Sequence, residues 1–488
     1  MLTNNHRDRA SRLALIIGIA GIGVGLVGGF IAGAHPLYLG LMLVAVLLVA
    51  LFFARFEQTV LGLLILRSSL DVFSAQQIPA VFAVGLDVLT VLYVIVQLLT
   101  GRTVHTDRYW WFLFAWVCLQ GFWVVLLPLG GLGLNASYLL DSIREWIRIF
   151  TWVMVYLLIM QMKDKIHPEK VISSLFLALV APITVALLQI FVPSILPPFL
   201  FPSEAASGLG ASEGIRIGGT IGHPNGLVTM LLLFMALTYW KLNQSRSRLP
   251  WLILLGLQAF CFVSTKALFG LIMLTVFVVV LVAPKLDPIK LIGGILFIVI
   301  IIGLFASSDF GRERIASIAN TPLLNPNIDI SRAILLSQGD YNSFNWRLSQ
   351  WHFLLNRATE YPYLGYGLGL SIPVAGNGLL PHNDYIRALI EGGIVGLGVY
   401  LLFLLGYGIR LTQLIRSAPV GSKQREMCNV MLAFFVSIPV AMITENIWGH
   451  TTLFFYWMTL MAVAGWNWNH QHPDRSNLSL NQKLQLSS

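Results

Sequence analysis

LALIIGIAGIGVGLVGGFIAG, residues 13–33, runs for 21 positions without a charged side chain. It follows Arg7, Arg9 and Arg12, as the apolar core of a secretory signal would. A signal core is only about 7–15 residues long, whereas about 20 are needed to cross a bilayer. More apolar runs follow, so the stretch predicts a retained first membrane helix. The whole chain reads the same way. It is 57% hydrophobic and 11% charged, against roughly 25% charged in soluble domains. Hydropathy predicts helices at about 13–33, 37–54, 58–68, 80–100, 109–127, 149–162, 170–192, 223–240, 249–264, 267–283, 290–306, 391–415, 427–445 and 451–467. The third is too short to span alone and reads as a re-entrant or tilted piece. The expected fold is all-α: one polytopic membrane domain over 1–488, with about 12–14 transmembrane helices.

Charge sets the expected orientation, because Lys and Arg accumulate in short cytoplasmic loops. With the N-terminus inside, 20 of the 31 basic residues fall on the inner face. Six of the other 11 lie in one long loop, which the rule does not count, so the comparison is 20 against 5. Both termini are therefore expected in the cytoplasm. The net charge of +9 is a topology signal that calls for no nucleic-acid partner. The long loop, 307–390, is expected outside. It carries Trp346, Trp351, His352, Tyr361, Tyr363 and Tyr366, unlike a disordered linker, and Leu348–Arg357 is expected to form an amphipathic helix on the membrane. Residues 470–488 read as a polar cytoplasmic tail. Cys118, Cys261 and Cys428 sit in apolar runs without metal-ligand or disulfide spacing.

No Walker A, CxxC or HExxH pattern occurs, and no acidic cluster suits a divalent metal. No cofactor is expected. GYGLG at 365–369 has glycines but lacks the flanking strand and helix of a phosphate loop. Asp87 falls inside an apolar run; such a charge either serves function or pairs with another helix. On the expected outer face stands a set of cations. Arg144 and Arg148 share one helix face. Arg216 opens RIGGTIGHPNG (216–226), just before a helix that starts at Pro224. Lys266 lies in STKA (264–267), and Arg347 and Arg387 in the long loop. Arginine favours bidentate contact with phosphate oxygens, although snorkelling to lipid headgroups is the competing explanation. The sharpest local signal is PHNDYIRALIEGGIVG, 381–396. It places His382 where the outer loop enters a helix, close in sequence to Arg387 and Glu391. A histidine there can act as a neutral base at physiological pH.

His382-Asn383, nine residues, then Gly393-x-x-Gly396 resembles the signature of the O-antigen ligases and related polysaccharide polymerases. Arg347 with Trp351 and the PYLGYG stretch (362–367) resemble the family's approach to that signature. Arg216 with Gly218, Gly219, His223, Pro224 and Asn225 resembles a second family element. STKA resembles a segment where the family usually has Arg, so Lys266 is a departure. The resemblance covers about 215–400. It implies a metal-independent, inverting glycosyltransferase of the bacterial cytoplasmic membrane, with its active site facing the periplasm or exterior. The donor would be a glycan on undecaprenyl pyrophosphate. The acceptor would be a sugar hydroxyl, on a lipid A core for a ligase or on another lipid-linked unit for a polymerase, with polymerase placed slightly ahead. His382 would take the acceptor proton. Arg216, with one or more of Arg144, Arg148, Lys266 and Arg347, would hold the pyrophosphate. Asn383, Arg387 and Glu391 would orient the histidine or bind the acceptor. Protein O-glycosylation and transport of an anion or lipid-linked substrate are the alternatives. A carrier should show repeated halves with broken helices, and the sequence shows no internal repeat.

Overall fold

Hydropathy, not propensity, governs these helices, and the faces they leave exposed show what surrounds them. A computed structural model describes residues 46–126, 136–201, 216–283, 288–319, parts of 321–336, and 343–468. The expected helix at 13–33, the first half of that at 37–54 and the tail from 470 lie outside the described residues. In α3 (Ile78–Leu99), Val81, Val84, Val88, Val91, Ile95 and Leu98 form an exposed apolar stripe at helical spacing. Its opposite side buries Leu86, Asp87, Thr90, Tyr93 and Gln97. An apolar exterior over a partly polar interior is stable only where hydrocarbon replaces water. Asp87 joins α3 to a neighbouring helix: Thr151 Oγ1 donates to its Oδ2 at 2.7 Å.

Before α3 come α1 (Val46–Ala54) and α2 (Phe56–Arg67), a pair bent by 119°, in keeping with the short third helix. After it follow α4 (Arg108–Val125), α5 (Ala136–Met160), α6 (Pro168–Phe191), α7 (Pro224–Gln244), α8 (Leu249–Ser264), α9 (Leu268–Val282) and α10 (Pro288–Ser307). Then come α11 (Asp309–Ala319), α12 (Ser343–Ala358), α13 (Ser371–Ala375), α14 (Asp384–Ser417), α15 (Lys423–Ala441) and α16 (Thr451–Ala464). The described residues contain no strand. The protein is an all-α polytopic membrane protein. Among the described residues, four helices are long and apolar enough to cross a membrane, or five if α1 and α2 make one span. Others are shorter. At 14 residues α16 is only about 21 Å long, yet it is buried from Thr452 to Ala464. It lies at the centre of the bundle, against α5 and α7, and has no lipid thickness to match.

Two helices begin earlier than hydropathy places them. α5 starts at 136, not 149, and α14 at 384, not 391. Their first turns carry Asp141, Arg144, Glu145 and Arg148, and Asp384, Arg387 and Glu391. A hydropathy window rejects such charges, but here several pair with one another. The 307–390 segment holds α11, α12 and α13, and the amphipathic stretch at 348–357 is the C-terminal part of α12. Leu354, Ala358, Tyr366 and Val374 build a small second core with Ile386 and Ile390 of α14. That core fixes the segment over one end of the bundle.

Candidate active site

The chain is forced into an unusual shape just before α14. Asn383 is the N-cap of that helix, its side chain accepting from the backbone N–H groups of Tyr385 and Ile386 at 3.0 Å each. His382 precedes it with φ +49, a left-handed conformation that costs a non-glycine residue about 1–3 kcal/mol. The end of α15 meets this corner: the Asp384 N–H donates to Met442 O at 2.9 Å and the Tyr385 hydroxyl to Pro439 O at 2.8 Å. Docking of α14 on α15 brings the turn after α15 under the histidine. There His382 Nδ1 lies 3.2 Å from Glu445 Oε1. The Trp346 ring stands edge-on to the imidazole, with centroids 6.0 Å apart.

Glu445 is the hub. Its Oε2 accepts from Asn225 Nδ2 at 2.7 Å, and its Oε1 from the Asn446 N–H at 3.0 Å. Arg347 Nη2 is 3.8 Å from Oε2 and 3.3 Å from His382 Nδ1, while Nη1 donates to Thr444 O at 2.8 Å. Asn225 Oδ1 in turn accepts from Arg216 Nη2 at 2.9 Å, and Arg216 Nε donates to Thr265 O at 3.0 Å. Burial alone would push Glu445 up; the contact with His382 and the charge of Arg347 outweigh it and hold the carboxyl well below its usual range. Burial pushes His450 down to about 4 against the pull of Glu445, and lowers His223 in the same way. These two are neutral imidazoles at pH 7, occupied elsewhere. His450 Nδ1 meets Thr229 Oγ1 at 3.0 Å, and His223 Nδ1 accepts from the Asn225 N–H at 3.1 Å, capping α7. An ionised carboxylate at Nδ1 favours the Nδ1–H tautomer and leaves the lone pair on Nε2.

The residues singled out in the sequence divide into two groups. Arg216 and His382 join one hydrogen-bonded chain through Asn225 and Glu445, and Arg347 meets it as an ion pair with Glu445 at 3.8 Å. Lys266 adjoins it, in a left-handed conformation (φ +56) directly after the carbonyl that holds Arg216. Arg144 is exposed and pairs with Asp141 at 3.4 Å. Arg148 pairs with Glu145. Arg387 and Glu391 are in a second, buried network. Arg387 reaches Glu145 at 2.8 Å and Glu391 at 2.9 Å, and Glu391 accepts from Ser371 Oγ at 2.7 Å. Asn383 is spent on its cap. Sequence reasoning missed Glu445 as the partner of His382. The available signal was that it is the one carboxylate between 427 and 467, an ionisable group between two apolar runs.

The glycines after His382 serve the backbone. Gly393, at φ +62 and ψ −162, interrupts α14. The carbonyls of Ile390 and Glu391 thereby accept from the Tyr366 and Gly367 N–H groups at 2.9 Å each, and the Ile394 N–H donates to Pro362 O at 2.8 Å. A Cβ on Gly393 would sit 2.3 Å from Tyr363 backbone atoms. The PYLGYG stretch is thus strapped to the break in α14, which ties the two sequence motifs into one piece.

Fold and site define a polytopic all-α membrane protein with a histidine–carboxylate–arginine cluster at one end of its bundle. Residues 231–401 match the family model described as O-antigen ligase. A Rickettsia conorii protein named as a candidate polysaccharide ligase is 29% identical over 180 residues, 32% of this chain and 40% of that protein. Together they bear out the resemblance to the O-antigen ligase superfamily read from the motifs. The family match takes in Lys266, Arg347, His382 and Gly393, while Arg216 and Glu445 lie on either side of it.

Proposed function

We propose that this protein transfers a glycan from undecaprenyl pyrophosphate to an acceptor sugar hydroxyl in cell-surface polysaccharide assembly, by metal-independent inversion at the anomeric carbon. The observation that carries the reading is the His382–Glu445 pair with Arg347 and Arg216 in one connected cluster. Glu445 accepts from Nδ1, so Nε2 takes the acceptor proton as the hydroxyl oxygen attacks. The glycosidic bond to the pyrophosphate breaks as the new one forms. Arg216 and Arg347, beside Lys266, offset the charge growing on the departing pyrophosphate, where stabilisation rises with the charge itself. Arg148 and Arg144 of α5 are further candidate contacts for the donor pyrophosphate. Arg387 and Glu391 hold the site's scaffold, and Asn383 sets the start of α14. Both termini are assigned to the cytoplasm and the 307–390 segment to the outer face.

The test is a lipid-linked-glycan assay with His382→Ala. Loss of a general base should slow turnover by roughly 10²-fold or more, with undecaprenyl-linked donor accumulating and the protein still inserted. Substantial turnover rejects His382 as the base. The products sort the acceptor: longer lipid-linked chains identify a polymerase, transfer to lipid A core a ligase, and transfer to protein the third alternative. Absence of any glycan phenotype favours transport. A reporter fused after Asn377 should be active only outside the cytoplasm, and a cytoplasmic signal there ends the outer-face assignment.

A further inference from the structure

The other end of the bundle carries a second concentration of polar side chains. The Arg67 and Asp71 side chains, between α2 and α3, bond Thr451 and Thr452 beside the Glu445 turn, so α3 starts at the His382 end and finishes at the opposite one. α5 likewise carries Glu145 and Arg148 early and ends where Gln161 bonds the His105 backbone. At that far end, a cleft of about 560 Å³ opens at the 119° bend between α1 and α2. One wall is the stacked pair Phe56 and Tyr93, with ring centroids 4.0 Å apart. Lys165 lies against that wall, 4.8 Å from the Phe56 ring, and donates to the Tyr93 hydroxyl at 2.7 Å.

Arg55, at the bend itself, and Arg102, beyond the end of α3, complete the cationic lining. Neither guanidinium has an ion-pair or hydrogen-bond partner among the described residues. Glu57 is the one carboxylate on the lining, set against three cations. Gln97 and Thr100 add polar groups from α3. Snorkelling accounts for a cation that extends outward by itself. It does not account for three cations from three separate segments facing one concavity with an aromatic wall.

We propose that this cleft binds a phosphate-bearing anion at the bundle end opposite His382, with Arg55 and Arg102 gripping the phosphate oxygens and Lys165 adding its charge. Basic pockets between membrane helices suit the headgroups of anionic lipids, and arginine forks suit phosphate geometry. A free phosphate compound has the same chemistry and reaches the same opening. The site stands independently of the transfer reaction, since it shares no residue with the His382 cluster.

The test uses the full chain in a neutral detergent, titrated with short-chain phosphatidylglycerol, phosphatidylcholine or inorganic pyrophosphate, with binding read by native mass spectrometry. Arg55→Gln/Arg102→Gln should weaken phosphatidylglycerol binding about 30-fold, roughly fivefold per basic residue. Arg55→Lys/Arg102→Lys should recover part of it. Arg416→Gln/Arg425→Gln, which removes one cation at the end of α14 and one at the start of α15, neither on the cleft lining, should leave binding unchanged. Loss confined to the cleft variant with phosphatidylglycerol supports the lipid source, and the same loss with pyrophosphate alone supports the free one. Equal losses in both double-Gln variants, equal binding of phosphatidylcholine, no loss in the cleft variant, or no saturable binding of either anion overturns the proposal.

Discussion

Two clusters of charged residues flank the start of α14, and both contain arginines and glutamates in short contact. In the one around Arg387, the side chains of Arg387 and Glu391 are 6% and 7% exposed, each is matched by the other or by Glu145 or Ser371, and Trp448 Nε1 donates to Glu145. In the one around Glu445, the carboxylate is 4% exposed but His382 and Arg347 remain 24% and 21% exposed. The first closes on itself. The second is anchored on a buried carboxylate, with His382 and Arg347 only partly covered. Residue type does not separate the two clusters; what separates them is how far their charged side chains are covered.

Substitutions can break this contrast. The largest effect is expected from Arg387→Ala, which leaves Glu391 buried without its counterion and Glu145 with Arg148 alone, and should cost about 3–5 kcal/mol of stability. Thermal unfolding in detergent measures it. An Arg387→Ala protein of normal stability but no turnover would move Arg387 into the chemistry and erase the distinction. Glu445→Gln comes next. It keeps the shape and removes the charge that selects the tautomer of His382, so turnover should fall by roughly 10²-fold while Arg347 and Asn225 still hold the side chain. Unchanged turnover would show that His382 works without its carboxylate. The smallest effect belongs to Asn383→Ala. Loss of a helix cap costs about 1 kcal/mol, and with the protein saved by mild conditions turnover should change little. A fall as large as that of His382→Ala would return Asn383 to acceptor binding.

Much of this was readable beforehand. The helices from Leu249–Ser264 to Pro288–Ser307 lie within a few residues of their hydropathy bounds, because nothing charged interrupts them. The errors fall where charges enter a helix: the starts of α5 and α14 were placed 13 and 7 residues late. Arg216, Arg347 and His382 were singled out from residue type and motif, and they do converge. Arg387 and Glu391 were grouped with them because they are near His382 in sequence. On a helix, however, positions five and nine residues beyond His382 turn away from it into the bundle.

What the sequence determined by itself was therefore whatever sums over neighbours in the chain: the membrane class, most bounds of the described helices and the motif around His382. Glycine at 393 was visible, but its need was not, since the clash it avoids is with Tyr363, thirty residues earlier. The partner of His382 lies 63 residues on, and Glu445 is linked to Asn225 across 220. Only the docking of α14 on the end of α15, with the start of α7 alongside, brings them together. Those contacts rest on shape complementarity and buried charge between distant segments, which a reading of local hydropathy and spacing does not contain.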